Sequence, residues 1–333
     1  MRPPGTAPSP RPPVHGHEVA AAHALRRLAL DEGLKARTAE DPALSAIAWR
    51  VAHRYVAGRT LPEVLPRVRE LVAAGHATTV DFMGESARRA SVADAATEEF
   101  LRLVTRIAEH GPRCSVSLDL SHLGSVIDRE LGLRNATRVA EATAAAGLEL
   151  VLSMEGHDRI DQILDDHAVL GERFDHVGIT LQARLHRSPA DLEALLDRPG
   201  RIRLVKGSYD VPERIAVARE DPELPRRFDA LAERLLRSGH PCLIATHDID
   251  RLLAVDRLVD TASLRGAPYV IEVLDGLGVE QIRRMRERGH PTQVYLVYGT
   301  EWWLYVLNRI AEDPQRVLLA LVDAAATGVP SPR

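Results

Sequence analysis

The sequence predicts a parallel (β/α)₈ barrel of the TIM type, and three observations lead there. Eight short runs of β-branched and apolar residues recur between residues 77 and 299, each ending in polar residues or glycine. Helix-like periodic stretches lie between them, and alternating βα units build a parallel sheet. Eight such units in roughly 250 residues make a closed barrel. Two dinucleotide-type domains are the rival arrangement, but no Gly-rich GxGxxG turn follows any of the runs.

The elements follow in order. Residues 1–17, MRPPGTAPSPRPPVHGH, are Pro-rich with no apolar stretch, which predicts a disordered tail rather than a secretory signal. Helical stretches at 18–36, 43–56 and 60–76 form an N-terminal segment, 18–76, expected to pack on the barrel wall. The barrel is expected over 77–326. Its strands are ATTVDFMG (77–84), CSVSLDLS (114–121), ELVLSMEG (149–156) and HVGITLQA (176–183). RIRLVKGS (201–208), CLIATHD (242–248), YVIEVL (269–274) and QVYLVYG (293–299) complete them. Between strands, TEEFLRLVTRIAEHG, ATRVAEATAAAG, RRFDALAERLLRSG and VEQIRRMRERG end in Gly, where a helix C-cap sits. A last helix is predicted in EWWLYVLNRIAED (301–313). There Tyr305, Asn308, Arg309 and Glu312 share one stripe, and Leu304, Leu307, Ile310 and Ala311 another.

A formal net charge of −4 implies no basic surface for nucleic acid. The two cysteines, Cys114 and Cys242, lie in apolar runs and read as buried thiols, not a disulfide framework. No apolar run reaches the ~18 residues of a membrane span. A soluble cytoplasmic protein is the expectation.

In a barrel of this kind chemistry sits at the C-terminal ends of the strands. Those ends carry Asp81 and Glu85, Asp119, Ser153 and Glu155, Gln182, and Arg203, Lys206 and Tyr209. Thr246, His247 and Asp248 follow, then Glu272 and Asp275, then Tyr295 and Tyr298. Two chemistries compete for them. Asp119, Glu155, His247 and Glu272, on four strands, could hold a divalent metal, though no HxH or HExxH spacing supports it. Alternatively RLVKGSY puts Arg203 and Lys206 around Gly207, suited to phosphate or a developing anion, with ATHD adding a hydroxyl and an imidazole.

Ordered motifs here resemble those of the flavin-dependent proline dehydrogenases, from about residue 50 to 325. They are RLVKGSY (203–209), ATHD (245–248), EVLDGLG (272–278) and YGTEWWLYVLNRIAE (298–312), with DFMGE (81–85) and Gln182. The resemblance implies a barrel holding noncovalent FAD. Gln182 and Arg203 would border the isoalloxazine, Arg203 near N5. The backbone around Val205 and Gly207, with Lys206, Thr246, His247 and Glu272, would hold the rest. Hydride would leave a carbon beside an amine nitrogen for flavin N5, giving an imine. Tyr209, Leu274, Tyr295 and Tyr305 match positions that enclose the substrate. Arg203, Tyr305 and Arg309 would be the catalytic set, and the polar stripe of the last helix, Glu312 included, would face the substrate.

The match breaks at the carboxylate clamp. Where the family has a Lys, VSLDLSHLG has Asp119, and where it has the first of two Arg, this chain has Asn308. Arg309 remains, Ser153 replaces a supporting Asp, and Glu85 loses its Arg gate partner. Each charge-assisted hydrogen bond to a carboxylate contributes ~1.5–3 kcal/mol, so free L-proline should be a poor substrate. The expectation is an amine or imino-acid oxidoreductase with changed specificity. Asp119 would meet a cationic amine, hydrazine or guanidinium, or the substrate's carboxylate would be masked as an amide, ester or carrier thioester. Quinone or O₂ would take the electrons. A metal-dependent barrel hydrolase or isomerase, or a catalytically inactive flavin-binding paralogue, are the alternatives.

Overall fold

The computed structural model describes residues 16–326 except Glu85, Pro112, Tyr209, Asp210 and Pro314. Of the tail expected over residues 1–17, residues 1–15 fall outside the described residues, as do the roles expected of Glu85 and Tyr209, while Gly16 and His17 begin a helix instead. Before the barrel come α1 (Gly16–Ala29), α2 (Glu32–Glu40), α3 (Pro42–Ala52) and α4 (Leu61–Ala73). The barrel begins with β1 (Ala77–Phe82), α5 (Ala90–Ala108), β2 (Cys114–Leu118), α6 (Arg129–Ala146), β3 (Glu149–Leu152) and α7 (Ile160–Gly171). It continues with β4 (Val177–Gln182), α8 (Ser188–Leu196), β5 (Ile202–Val205), α9 (Glu223–Ser238) and β6 (Cys242–Ala245). Then come α10 (Ile249–Thr261), β7 (Tyr269–Leu274), α11 (Val279–Glu287), β8 (Thr292–Tyr298), α12 (Trp303–Ala311) and α13 (Arg316–Ala325).

Residues 54–302 form one compact unit; the helices before residue 54 join those after 302 in the other. In the first, the eight strands close in the order β1 to β8, all parallel, with β8 back on β1. The expected eight strands are therefore all present. Helices α5 to α11 follow the strands in turn, and α4, from before β1, lies against β1 and β8 where an eighth ring helix belongs. The last of the three expected N-terminal helices therefore packs on the barrel as α4. The others belong with α12 and α13: α1 packs against α12, and α3 against α13. Within the expected 18–36 helix Asp31 accepts from Leu34 N (2.8 Å) and caps a new helix start, splitting that run into α1 and α2, while Asp41 accepts from Ala43 N (2.8 Å) and caps α3 just before the expected start at residue 43.

Amphipathic spacing builds the ring. In α9, Leu224, Phe228, Leu231, Ala232, Leu235 and Leu236 are buried, each large side chain contributing ~1.5–3 kcal/mol of burial. Gly147 and Gly239, at φ 66° and 72°, end α6 and α9 in the left-handed conformation a Cβ disfavours. The outward residues of the strands, such as Val116, Leu118, Leu204 and Ile244, complete this core. The inward residues are different in kind. Thr79, Ser115, Ser117, Thr180, Arg203, Glu272, Gln293 and Tyr295 are all buried and polar or phenolic. Strand period 2 brings them to one face, and they organise the site.

Candidate active site

The centre of the barrel is an ion pair. Arg203 on β5 donates through Nε to Oε1 of Glu272 on β7, at 2.5 Å. Glu272 is fully buried, and its Oε2 accepts from Thr79 Oγ1 and Gln293 Nε2, both at 3.0 Å. Ser115 Oγ in turn donates to Thr79 Oγ1 at 3.1 Å. The pair reaches across β6, where Ala245 is in register with Glu272 and offers only a methyl group. Burial works against the Arg203 cation, but Glu272 outweighs it and raises the guanidinium's pKa.

Arg203 also stacks on β8, its guanidinium carbon 4.4 Å from the centre of the Tyr295 ring. The Tyr295 hydroxyl donates to Asp81 Oδ2 at 2.6 Å. Burial, and next the Asp81 charge, push the Tyr295 phenol up. Burial raises Asp81 to about 6, against the opposing pull of the Tyr295 donor and Arg203.

At the end of β2 stands Asp119. Burial raises its pKa well above the ordinary carboxylate range, and the charges of Glu155 and Asp81 raise it further. Ser117 and Ser153 hydroxyls meet at 3.2 Å beneath it. Glu155 accepts from the Ser121 amide at 3.0 Å and from Arg159 Nη1 at 3.0 Å. Three carboxylates thus influence one another here, and the sign for stability is definite. Asp81 keeps its proton to about pH 6 folded but only to about 3.8 unfolded, so stability falls as pH rises through that window. Cofactor-free Asp81→Asn should melt like the wild type at pH 4 and at higher temperature than it above pH 6, since Asn still accepts from Tyr295. Parallel melting curves at both pH values would contradict this.

The ends of β4, β5 and β6 form the third part. Gln182 donates from Nε2 to the carbonyls of Met154 (3.2 Å) and Glu155 (3.1 Å), tying the β3 loop to β4. Val205 ends β5, and Gly207 has φ +100°, with a Cβ there falling 3.0 Å from Gln182 Oε1. Lys206 Nζ pairs with Asp248 Oδ2 at 2.6 Å. Asp248 caps α10 through Asp250 N (3.1 Å), and its own amide donates to Thr246 Oγ1 (3.1 Å). Burial would raise Asp248, but Lys206 prevails and lowers it. His247 lies between Thr246 and Asp248, partly buried.

Most expected residues of the barrel therefore meet in groups: Arg203, Glu272 and Tyr295; Asp119 with Ser153 and Glu155; Lys206 and Thr246 with Asp248. Leu274 shares the inward face of Glu272 and is in register with Tyr295. Two do not belong. Tyr298 points outward and donates to Glu99 Oε1 on α5 (2.9 Å). Asp275 pairs with Arg67 Nη2 on α4 (2.8 Å). The four-residue metal set does not gather either: Glu272 and Glu155 are held by arginines, and no three Asp, Glu, His or Cys among the described residues could hold a metal. In the other unit, Arg309 pairs with Glu312 (2.8 Å) and its guanidinium carbon lies 5.4 Å from the Tyr305 ring. Asn308 is beside them in α12, and Arg309 Nε is buried with no hydrogen-bond partner among the described residues. Thr79, Ser115, Ser117, Gln293 and Arg159 went unnoticed in the sequence. For the first four the signal is the alternation of small polar residues inside TTVD, SVS and QVY.

The model of the family described as proline dehydrogenase matches residues 64–312. Proline dehydrogenase 1 of Bacillus subtilis (strain 168) is 30% identical over 271 residues, 81% of this chain and 89% of that one. A proline dehydrogenase of Deinococcus radiodurans is 30% identical over 286 residues, 83% of this chain and 92% of its own. Among solved structures, proline utilization A from Bdellovibrio bacteriovorus, inactivated by N-propargylglycine, shares the fold at a TM-score of 0.74 and 16% identity. That likeness covers 95% of this chain and 44% of that one, so this chain spans less than half its length. No helix among the described residues is long and apolar enough to cross a membrane. A closed parallel barrel, a polar centre built at its strand ends and a family match over most of the chain agree: the chain belongs to the proline dehydrogenase family of oxidoreductases.

Proposed function

We propose that this is an FAD-dependent oxidoreductase that oxidises a C–N bond of an amine or imino-acid-like substrate to an imine, and that free L-proline is not its preferred substrate. Support for the cofactor begins with Arg203. Its Nε is taken by Glu272, and no acceptor among the described residues bonds either Nη. A buried cation with donors to spare fits an electron-rich ring. Gly207, with its left-handed backbone, permits the close approach of the anionic remainder of FAD, with Thr246 and His247 on the neighbouring strand end. Val205, Lys206 and Gln182 would complete that set. When bound, FAD supplies the two-electron acceptor for hydride from the carbon beside the substrate nitrogen. The protein orients the substrate against it and stabilises the negative charge that develops, with Arg203 the nearest cation.

The observation that carries the substrate reading is Asp119. Its carboxyl is raised first by burial and then by Glu155 and Asp81, a setting that disfavours a further negative charge. Arg159, Arg203 and Lys206 at the strand ends each already pair with a carboxylate, Glu155, Glu272 and Asp248 in turn, which offsets their charge. A substrate carboxylate gains little there, whereas a cationic amine, hydrazine or guanidinium, or a substrate with its carboxylate masked, avoids the repulsion. Leu274, Tyr295, Tyr305, Asn308, Arg309 and Glu312 are the further substrate residues in this reading, with Tyr209 outside the described residues. Small molecules of the cytoplasm, with quinone or O₂ as final acceptor, are the partners it implies. The test is a panel of amines and imino acids in anaerobic flavin bleaching. Proline amide or a diamine should bleach faster than L-proline; L-proline as the best of the panel would overturn the substrate reading.

A further inference from the structure

The buried pair at the barrel centre has a property that the cofactor reading leaves unused. A lone guanidinium in that position presents a full positive charge, and its long side chain has several rotamers. Arg203 has neither freedom. Its Nε is held at 2.5 Å by Glu272, and its plane lies over Tyr295 at 4.4 Å. Glu272 is itself held in place, being fully buried with Oε2 hydrogen-bonded by Thr79 and Gln293 from β1 and β8. Three strands thus brace a carboxylate whose only ionic partner among the described residues is Arg203. Such bracing is costly to assemble unless charge and geometry both match.

We propose that Glu272 is a positioning residue: it locks the orientation of Arg203 and offsets its charge, and thereby lowers the reduction potential of the bound flavin. This rests on the reading that Arg203 borders the flavin ring. A cation beside the ring favours the reduced, more anionic form. A carboxylate in contact with that cation cancels part of the effect, because opposite charges at hydrogen-bond distance leave mainly a dipole. The side chain is therefore poised to keep the flavin a stronger reductant than Arg203 alone would allow.

The experiment is the midpoint potential of the FAD-loaded protein, by dye equilibration, in wild type, Glu272→Gln, Glu272→Asp and Arg203→Ala. Glu272→Gln keeps the shape and an acceptor for Arg203 but removes the charge. Its reduced-to-oxidised ratio at fixed ambient potential should rise about tenfold, ~30 mV for a two-electron couple. Glu272→Asp keeps the charge but draws it back by one methylene, so it should move the same way by less; it also serves where the Gln variant folds poorly. Arg203→Ala should move the potential down. Wild-type potential in both Glu272 variants, with Arg203→Ala lowered, overturns the role of Glu272 and leaves the flavin reading standing. No movement in any of the three overturns the placement of Arg203 beside the flavin. A cofactor-free readout tests the pair itself. Melting of Arg203→Ala with Glu272→Gln together should fall by less than the sum of the single losses, because each single change strands the other partner. Strict additivity would show that the two residues do not act as a pair.

Discussion

Asp119→Lys combined with Asn308→Arg is expected to raise L-proline-dependent flavin reduction about a hundredfold or more, with each single change well short of that. At ~1.5–3 kcal/mol for each charge-assisted hydrogen bond to a carboxylate, two restored donors are worth this and more. The Lys change acts twice. It removes a carboxyl that sits in the field of Glu155 and Asp81, and it supplies a cation where those carboxylates favour one. The family resemblance reads positions 119 and 308 as two parts of one clamp, which predicts coupling: residues that share a ligand do not add. The measurement is the anaerobic bleaching rate in the wild type, both singles and the double. Additive effects would mean that the positions do not share a ligand, and no gain in a folded, FAD-loaded double variant would mean that the resemblance misassigns the clamp.

Arg203→Ala is expected to cost the cofactor-free protein ~3–5 kcal/mol, a drop in melting temperature on the order of 10 °C. Glu272 has no other cationic partner among the described residues, and in this variant it keeps only the Thr79 and Gln293 donors. A fully buried carboxylate in that state must either remain charged at a penalty or take up a proton. Arg203→Lys should recover only part of the loss, because an ammonium cannot both meet Glu272 and lie flat on Tyr295. FAD affinity should fall in both variants. A melting temperature for Arg203→Ala within a degree or two of wild type would contradict the pair's contribution.

The barrel was legible in the sequence because each strand carries its own signal. CSVSLDLS and QVYLVYG have the composition, the length and the polar or Gly ending of a buried parallel strand, and each contains the strand observed or all but its first residue. One group of the candidate site was legible at RLVKGSY and ATHD, whose Lys206, Thr246 and Asp248 meet in the structure. The site was not legible where it depends on closure. Arg203 and Glu272 are far apart in sequence, and only the return of β8 onto β1 brings Gln293 and Thr79 to the same carboxylate. Tyr298 and Asp275 were misplaced for a simpler reason. Each lies three residues beyond an inward residue, Tyr295 and Glu272, and an odd step along a strand reverses the face. The first N-terminal helix was expected to run too long because Asp31, inside it, is the N-cap of a second helix.

The central claim is tested most directly by one anaerobic visible spectrum of the purified protein, recorded before and after an excess of L-proline. The account predicts flavin bands, from FAD that denaturation releases, which L-proline leaves almost unbleached while dithionite removes them. A colourless protein that takes up no added FAD would contradict the cofactor, and rapid bleaching by L-proline would contradict the altered specificity read from Asp119 and Asn308.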